Sequence, residues 1–160
     1  MVPGSGSAGA TSREQAARPA GPSDLPDIKR VIGRAYARYA DLLDRPPAPV
    51  LHDYGPEIAA GCVWVLGEPI AGVIVLIERD DGLLIENLAV DPAAQGRGLG
   101  RRLLEFAERQ AAGRGLARLT LYTNEVMTDS LGVYLRLGYH EVDRRREDGY
   151  RRIFLAKSLG

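Results

Sequence analysis

Between Val90 and Gly100 the chain reads VDPAAQGRGLG. Three glycines, Gly96, Gly98 and Gly100, alternate with Arg97 and Leu99, after a strand-like run and before a helix-like one. Each glycine costs backbone entropy, about 0.5–1 kcal/mol relative to alanine inside a helix. Close approach of the backbone to another group offsets such a cost. A helix start suits an anion, because its free N–H groups and the positive end of its dipole face outward. A second chemical signal lies just upstream. Glu86 interrupts the apolar run LLIENLAV, residues 83–90, where a charge needs a reason. Two well-known phosphate cradles fail on these residues. A dinucleotide fold wants G-x-G-x-x-G, and Arg101 stands at the third glycine position. A P-loop wants Lys and then Ser or Thr after its last glycine, where this chain has Arg101 and Arg102.

The elements that must position these residues follow from periodicity. Leu25, Ile28, Val31, Ile32, Ala35, Tyr36 and Tyr39 recur at helical spacing, with Ser23 or Asp24 as a cap. RPPAP, residues 45–49, stops that helix and predicts an extended loop. A short helix is expected over 52–60, ending at Gly61. CVWVL and AGVIVLIE are apolar and β-branched and flank the turn signal GEP, which predicts an antiparallel hairpin. Asp81–Gly82 turns the chain into the strand 83–90. Leu99, Leu103, Phe106, Ala107 and Ala111 return to helical spacing, closed by Gly113 and Gly115. A strand over 116–123 and a helix over about 128–137 follow. Asp148–Gly149 then marks a C-terminal hairpin. A weak strand near 14–20 would open the order. The fold class is a mixed α/β sheet with hairpins and one parallel crossover.

Length and composition bound the function classes. The 160 residues suit one domain, expected over 17–160 after a flexible Gly/Ser-rich tail at 1–16. Twenty-one basic and 21 acidic residues cancel, so no net field argues for nucleic acid or an acidic membrane. Cys62 is the sole cysteine, which excludes an internal disulfide, and no Cys/His spacing suggests a metal site. A reducing, cytoplasmic setting is expected. No apolar stretch approaches the roughly 18 residues that a membrane span requires.

Q-G-R-G-L-G after a strand ending L-A-V-D-P resembles the acyl-CoA signature Q/R-x-x-G-x-G/A of the GNAT superfamily, the CoA-dependent N-acyltransferases. Gln95, Gly98 and Gly100 match its fixed positions. Y-L-R-L-G-Y, residues 134–139, is similar to the family's late Y-x-x-x-G-F/Y. The resemblance spans about residues 17–160 in element order. It implies the GNAT fold, with six to seven strands flanked by about four helices. It also implies acetyl transfer from acetyl-CoA to a primary amine of a small molecule or peptide, by direct attack in a ternary complex. No metal is expected, and the family admits a homodimer.

The resemblance also assigns roles. Backbone groups at Gln95, Gly96, Arg97, Gly98, Leu99, Gly100 and Arg101 would cradle the diphosphate. The side chains of Arg97, Arg101 and Arg102 either join them or form a solvated helix face. Main-chain groups of Leu88, Ala89 and Val90 would meet pantetheine and the developing oxyanion, provided that this strand splays from the next. Glu86 is the expected base, with Asn87 on the opposite face. Tyr134 is the expected acid near the CoA sulfur, or a core tyrosine, or both. Asn124 would reach pantetheine, although its spacing to Tyr134 exceeds the family's, and Thr128 or Ser130 are substitutes. Acceptor recognition would fall on Tyr36, Tyr39, Tyr54 and Glu86, with His52, Asp53 and the arginines Arg144, Arg145, Arg146, Arg151 and Arg152 nearby. A different class, a non-catalytic acyl-CoA-binding module, would use the same cradle without needing Glu86 or Tyr134.

Overall fold

The computed structural model describes residues 16–160. The expected tail lies outside the described residues, apart from Ala16. Among the described residues seven strands are formed: β1 (Arg18–Pro19), β2 (Val63–Leu66), β3 (Gly72–Arg79), β4 (Gly82–Val90), β5 (Arg118–Asn124), β6 (His140–Glu147) and β7 (Tyr150–Ser158). The α-helices are α1 (Leu25–Tyr36), α2 (Ala48–Leu51), α3 (Gly55–Ala59), α4 (Leu99–Gly113) and α5 (Thr128–Arg136). One sheet holds every strand, in the order β1-β2-β3-β4-β5-β7-β6. Of the neighbouring pairs among these seven strands only β4 and β5 run parallel, joined by the crossover helix α4.

Each face of the sheet carries its own core. Ile28, Val31 and Ile32 of α1, at helical spacing, pack with Ile58 against Val63, Val65, Val73 and Val75. Leu103, Leu104, Ala107 and Ala111 of α4 pack against Trp64, Leu66, Ile74, Leu76, Leu119 and Leu121 on the other face. Adjacent residues of β2 thus point into different cores, which is why CVWVL reads as an unbroken apolar run.

The helix starts differ from expectation in two places. Asp24 stands at the N-cap of α1, but its carboxylate accepts from the Gly21 N–H at 2.8 Å and pairs with Arg18 at 2.9 Å, tying down β1. RPPAP is not wholly extended. Its last two residues begin the single turn α2, with Pro49 in the first turn, where a missing N–H costs nothing.

Asp91 joins the end of β4 to α1. It is buried, its carboxylate accepts from the Ala93 N–H at 3.0 Å, and Arg30 and Arg34 reach it at 3.0 and 3.1 Å. The Ala93 N–H, helped by Arg34, holds this carboxyl below its ordinary value. Both guanidiniums are about half exposed, so each pair is worth about 0.5–1 kcal/mol at most. A depressed folded pKa contributes stability above the unfolded value and loses it as pH falls through the folded one. Asp91→Asn should therefore lower the unfolding free energy by about 1–2 kcal/mol at pH 7. In urea titrations that difference should be full above about pH 4 and close as the pH falls further.

Candidate active site

β4 carries one residue more than β3 can pair. Val75 faces Asn87 and Leu76 faces Ile85, so Glu86 is the extra residue of a β-bulge. The bulge exchanges the faces of the strand. Leu83 and Ile85 belong to the α4-side core before it, and Leu88 and Val90 pack against the same core after it, one residue out of step. The expectation that Asn87 points away from Glu86 assumed an unbroken period of two, and the bulge defeats it. Both side chains line one cleft.

Beyond the bulge β4 leaves β5. Parallel pairing covers only Leu83–Leu119, Leu84–Thr120 and Ile85–Leu121. The Asp91 N–H donates to the Ala71 carbonyl at 2.7 Å, which makes Asp91–Ala71 a hydrogen-bonded pair of the β3–β4 ladder. Bonded and non-bonded pairs alternate in an antiparallel ladder. Ala89 and Asn87 therefore spend their main-chain groups on Val73 and Val75. Those of Leu88 and Val90 face away from β3, into the gap that β5 has vacated. The gap opens into a cleft of about 490 Å³, a volume suited to a cofactor-sized ligand.

The glycine turn forms one rim of this cleft. Gly96 and Gly98 have φ of +86° and +77°, where a side chain would be strained. Among the described residues a Cβ on either would meet nothing within 4 Å, so their conformation and not packing demands glycine. Gly98 is the N-cap of α4, and the first intrahelical bond runs from the Arg102 N–H to the Gly98 carbonyl at 3.1 Å. The N–H groups of Leu99, Gly100 and Arg101 precede it and lack helical acceptors. The first turn holds no acidic residue and carries Arg101 and Arg102, against the usual dipole preference. Such a terminus suits a polyanion. Gln95, Gly96, Gly98, Leu99, Gly100 and Arg101 line the cleft, whereas Arg97 is exposed and does not.

Glu86 and Tyr134 line the same cleft. The Tyr122 hydroxyl donates to Glu86 Oε1 at 2.8 Å. Burial, and then the neighbouring Glu86 charge, raises Tyr122 well above a normal phenol, so it stays a donor. Glu86 Oε2 has no hydrogen bond among the described residues and can accept a proton. Burial, with a smaller contribution from Tyr39, pushes Tyr134 up to about 12. Its hydroxyl is therefore protonated at neutral pH and can donate to a developing anion. The ring also packs on the core and edge-on against Tyr139, with centroids 5.7 Å apart.

The remaining residues divide. Tyr36 and Tyr39 line the cleft. Tyr36 donates to Asn87 Oδ1 at 2.8 Å, Asn87 Nδ2 donates to the Tyr54 hydroxyl at 3.0 Å, and Tyr54 donates to the Pro49 carbonyl at 2.8 Å. Tyr54 is thus buried in a chain that fixes α1, the bulge and the 48–54 segment together. Asn124 lines the cleft, and its Oδ1 accepts from the Val126 N–H at 3.1 Å, leaving its amide N–H groups for another partner. Ser130 lines the cleft as well, and Thr128 does not. Of the hairpin arginines only Arg152 reaches it, buried against Tyr122 and paired with Glu147 at 2.8 Å. Tyr122 and the bulge escaped the sequence reading. The parity switch of apolar residues across Glu86, and an aromatic on the polar face of LTLYT, were their signals.

The chain matches the family described as Acetyltransferase (GNAT) family over residues 28–139, and it belongs to that family. It is 30% identical over 138 residues to a mycothiol acetyltransferase of Mycobacteroides abscessus, covering 74% of this chain and 43% of that one. It is 36% identical over 80 residues to the [ribosomal protein bS18]-alanine N-acetyltransferase of Escherichia coli, covering 50% and 53%. The chain spans about half or less of the length of these curated relatives. The fold is shared with a paia N-acetyltransferase of Thermoplasma acidophilum, solved in complex with coenzyme A. There the TM-score is 0.77 at 15% identity, covering 90% of this chain and 98% of that one.

The two kinds of glycine in the turn separate by substitution. Gly98→Ala should lose about 1–2 kcal/mol to left-handed strain. Gly100 is helical, and a Cβ there would sit 3.8 Å from Val90 Cγ2, an ordinary contact. Gly100→Ala should match wild type or gain up to about 1 kcal/mol. Thermal melts of both variants check this.

Proposed function

We propose that this chain is an acetyl-CoA-dependent N-acetyltransferase acting on a primary amine by direct attack in a ternary complex. The observation that carries the reading is the gap between β4 and β5, where main-chain groups of Leu88 and Val90 face a cleft rimmed by a glycine helix start. Acetyl-CoA would supply the reactive thioester. Its diphosphate would lie on the N–H groups of Leu99, Gly100 and Arg101, and its pantetheine arm would run along β4 past Asn124. One main-chain N–H of β4, at Leu88 or Val90, would donate to the thioester oxygen as negative charge develops there. Such a donor, fixed by the β3–β4 ladder, needs no reorganisation during the reaction.

Glu86 would take the amine proton, directly or through one water, because an alkylammonium of pKa about 10 cannot attack. Tyr122 holds one carboxylate oxygen and leaves the other for that task. Tyr134, protonated at neutral pH, would return a proton to the leaving thiolate. The amine would enter beside Tyr36, Tyr39 and Glu86. The family membership and the relatives named as acetyltransferases support the reaction class.

Calorimetric titration should show acetyl-CoA binding, with NAD and ATP weaker. In an amine screen that follows CoA release, Glu86→Gln should lower kcat about 10²-fold or more with acetyl-CoA affinity unchanged. Tyr134→Phe should lower kcat less, because a thiolate leaves readily unaided. Acetyl-CoA binding without turnover of any amine would favour a binding module. No binding by folded protein would overturn the proposal.

A further inference from the structure

Glu86 lines two cavities. A second groove, about 610 Å³, shares Glu86, Asn87, Tyr122 and Arg152 with the first and runs away from it across the sheet. Helices α1 and α3 pack on the β2–β4 part of this face. Further along, Thr120 and Tyr122 project from β5 opposite the core residues Leu119 and Leu121, and they line the groove. Its charges are unevenly used. Arg145 pairs with Asp143 and Glu147, and Arg152 pairs with Glu147 and Asp148. At the far end Arg79, Arg118 and Asp81 line the groove, and among the described residues none of the three forms an ion pair. Two cations there face a single carboxylate. The near end presents the Glu86 carboxylate.

We infer that the acceptor is an extended peptide amine with an acidic side chain at about its third to fifth residue, the amine at Glu86 and the acid at Arg118 and Arg79. This rests on the proposed acetyltransferase reading and names its substrate class. Arg118, Thr120 and Tyr122 lie on one face of β5 at two-residue intervals. Four residues of strand separate Arg118 from Tyr122 by about 13 Å. An extended peptide covers that span in about four residues, and the length of an arginine side chain brings the acid nearer the amine. A small amine without a distant anion would leave both arginines unused. A peptide with a basic residue there would meet them as like charges.

The test compares two peptides that differ only in Glu or Lys at the fourth residue, assayed with acetyl-CoA at low salt. The Glu peptide should have a kcat/KM about fivefold or more higher, carried by KM, and the preference should shrink as ionic strength rises. Arg118→Glu should reverse the preference, while its acetyl-CoA affinity, measured by calorimetry, equals that of wild type. Arg79→Glu, at the exposed end of β3, should act in the same direction. Equal rates for the two peptides in wild type would overturn the inference, as would equal losses for both in Arg118→Glu. Turnover of small amines with neither peptide acetylated would overturn the peptide class and keep the acetyltransferase. Failure to bind acetyl-CoA would overturn the parent reading and this one with it.

Discussion

The divergence of β4 from β5 is the constraint on which the site depends. A sheet normally pairs each inner strand on both sides, because a buried main-chain group without a partner costs about 1–3 kcal/mol. Here β4 is paired on both sides only over Leu83–Ile85. Past Glu86 it keeps β3 and loses β5. The donors so released are rigid, since Ala89 and Asn87 on either side of Leu88 remain in the ladder. A fixed donor facing an open cleft is what a carbonyl gaining charge requires.

Several other features support that gap. Asp91 ends β4, caps the following turn through the Ala93 N–H, and holds two arginines of α1. The glycine turn is thereby anchored to a helix on the opposite face from the one that it starts. The Tyr36–Asn87–Tyr54–Pro49 chain does the same next to the bulge, fixing α1 and the 48–54 segment to β4. Tyr122 links Glu86 to β5, and Arg152 lies over the Tyr122 ring with its centre 4.5 Å from the centroid. The Glu86 carboxylate is thus set by groups from both arms of the split sheet.

Much of this arrangement was legible in the sequence, because it rests on local chemistry. The helix periods of α1 and α4, the GEP and Asp148–Gly149 turns, and the glycines at 96 and 98 each follow from backbone preferences that neighbours do not alter. What resisted reading was non-local. The bulge at Glu86 adds one residue to a ladder whose other strand is eleven positions away, so no short window reveals it. Its trace is the switch from Leu83 and Ile85 to Leu88 and Val90 on the same face. The role of Tyr54 was hidden for a similar reason. Its partners, Asn87 and Pro49, meet it only through the tertiary fold. The start of α2 within RPPAP depended on where proline falls in a first turn, a difference of one or two positions.

Amide hydrogen exchange along β4, followed by NMR with and without acetyl-CoA, tests the central claim most directly. In the free protein the amides of Leu88 and Val90 should exchange much faster than those of Asn87 and Ala89, which the β3 ladder protects. Acetyl-CoA should slow Leu88 and Val90 and leave the other two unchanged. Uniform protection of all four amides in the free protein would contradict the account, as would exchange at Leu88 and Val90 that acetyl-CoA does not alter.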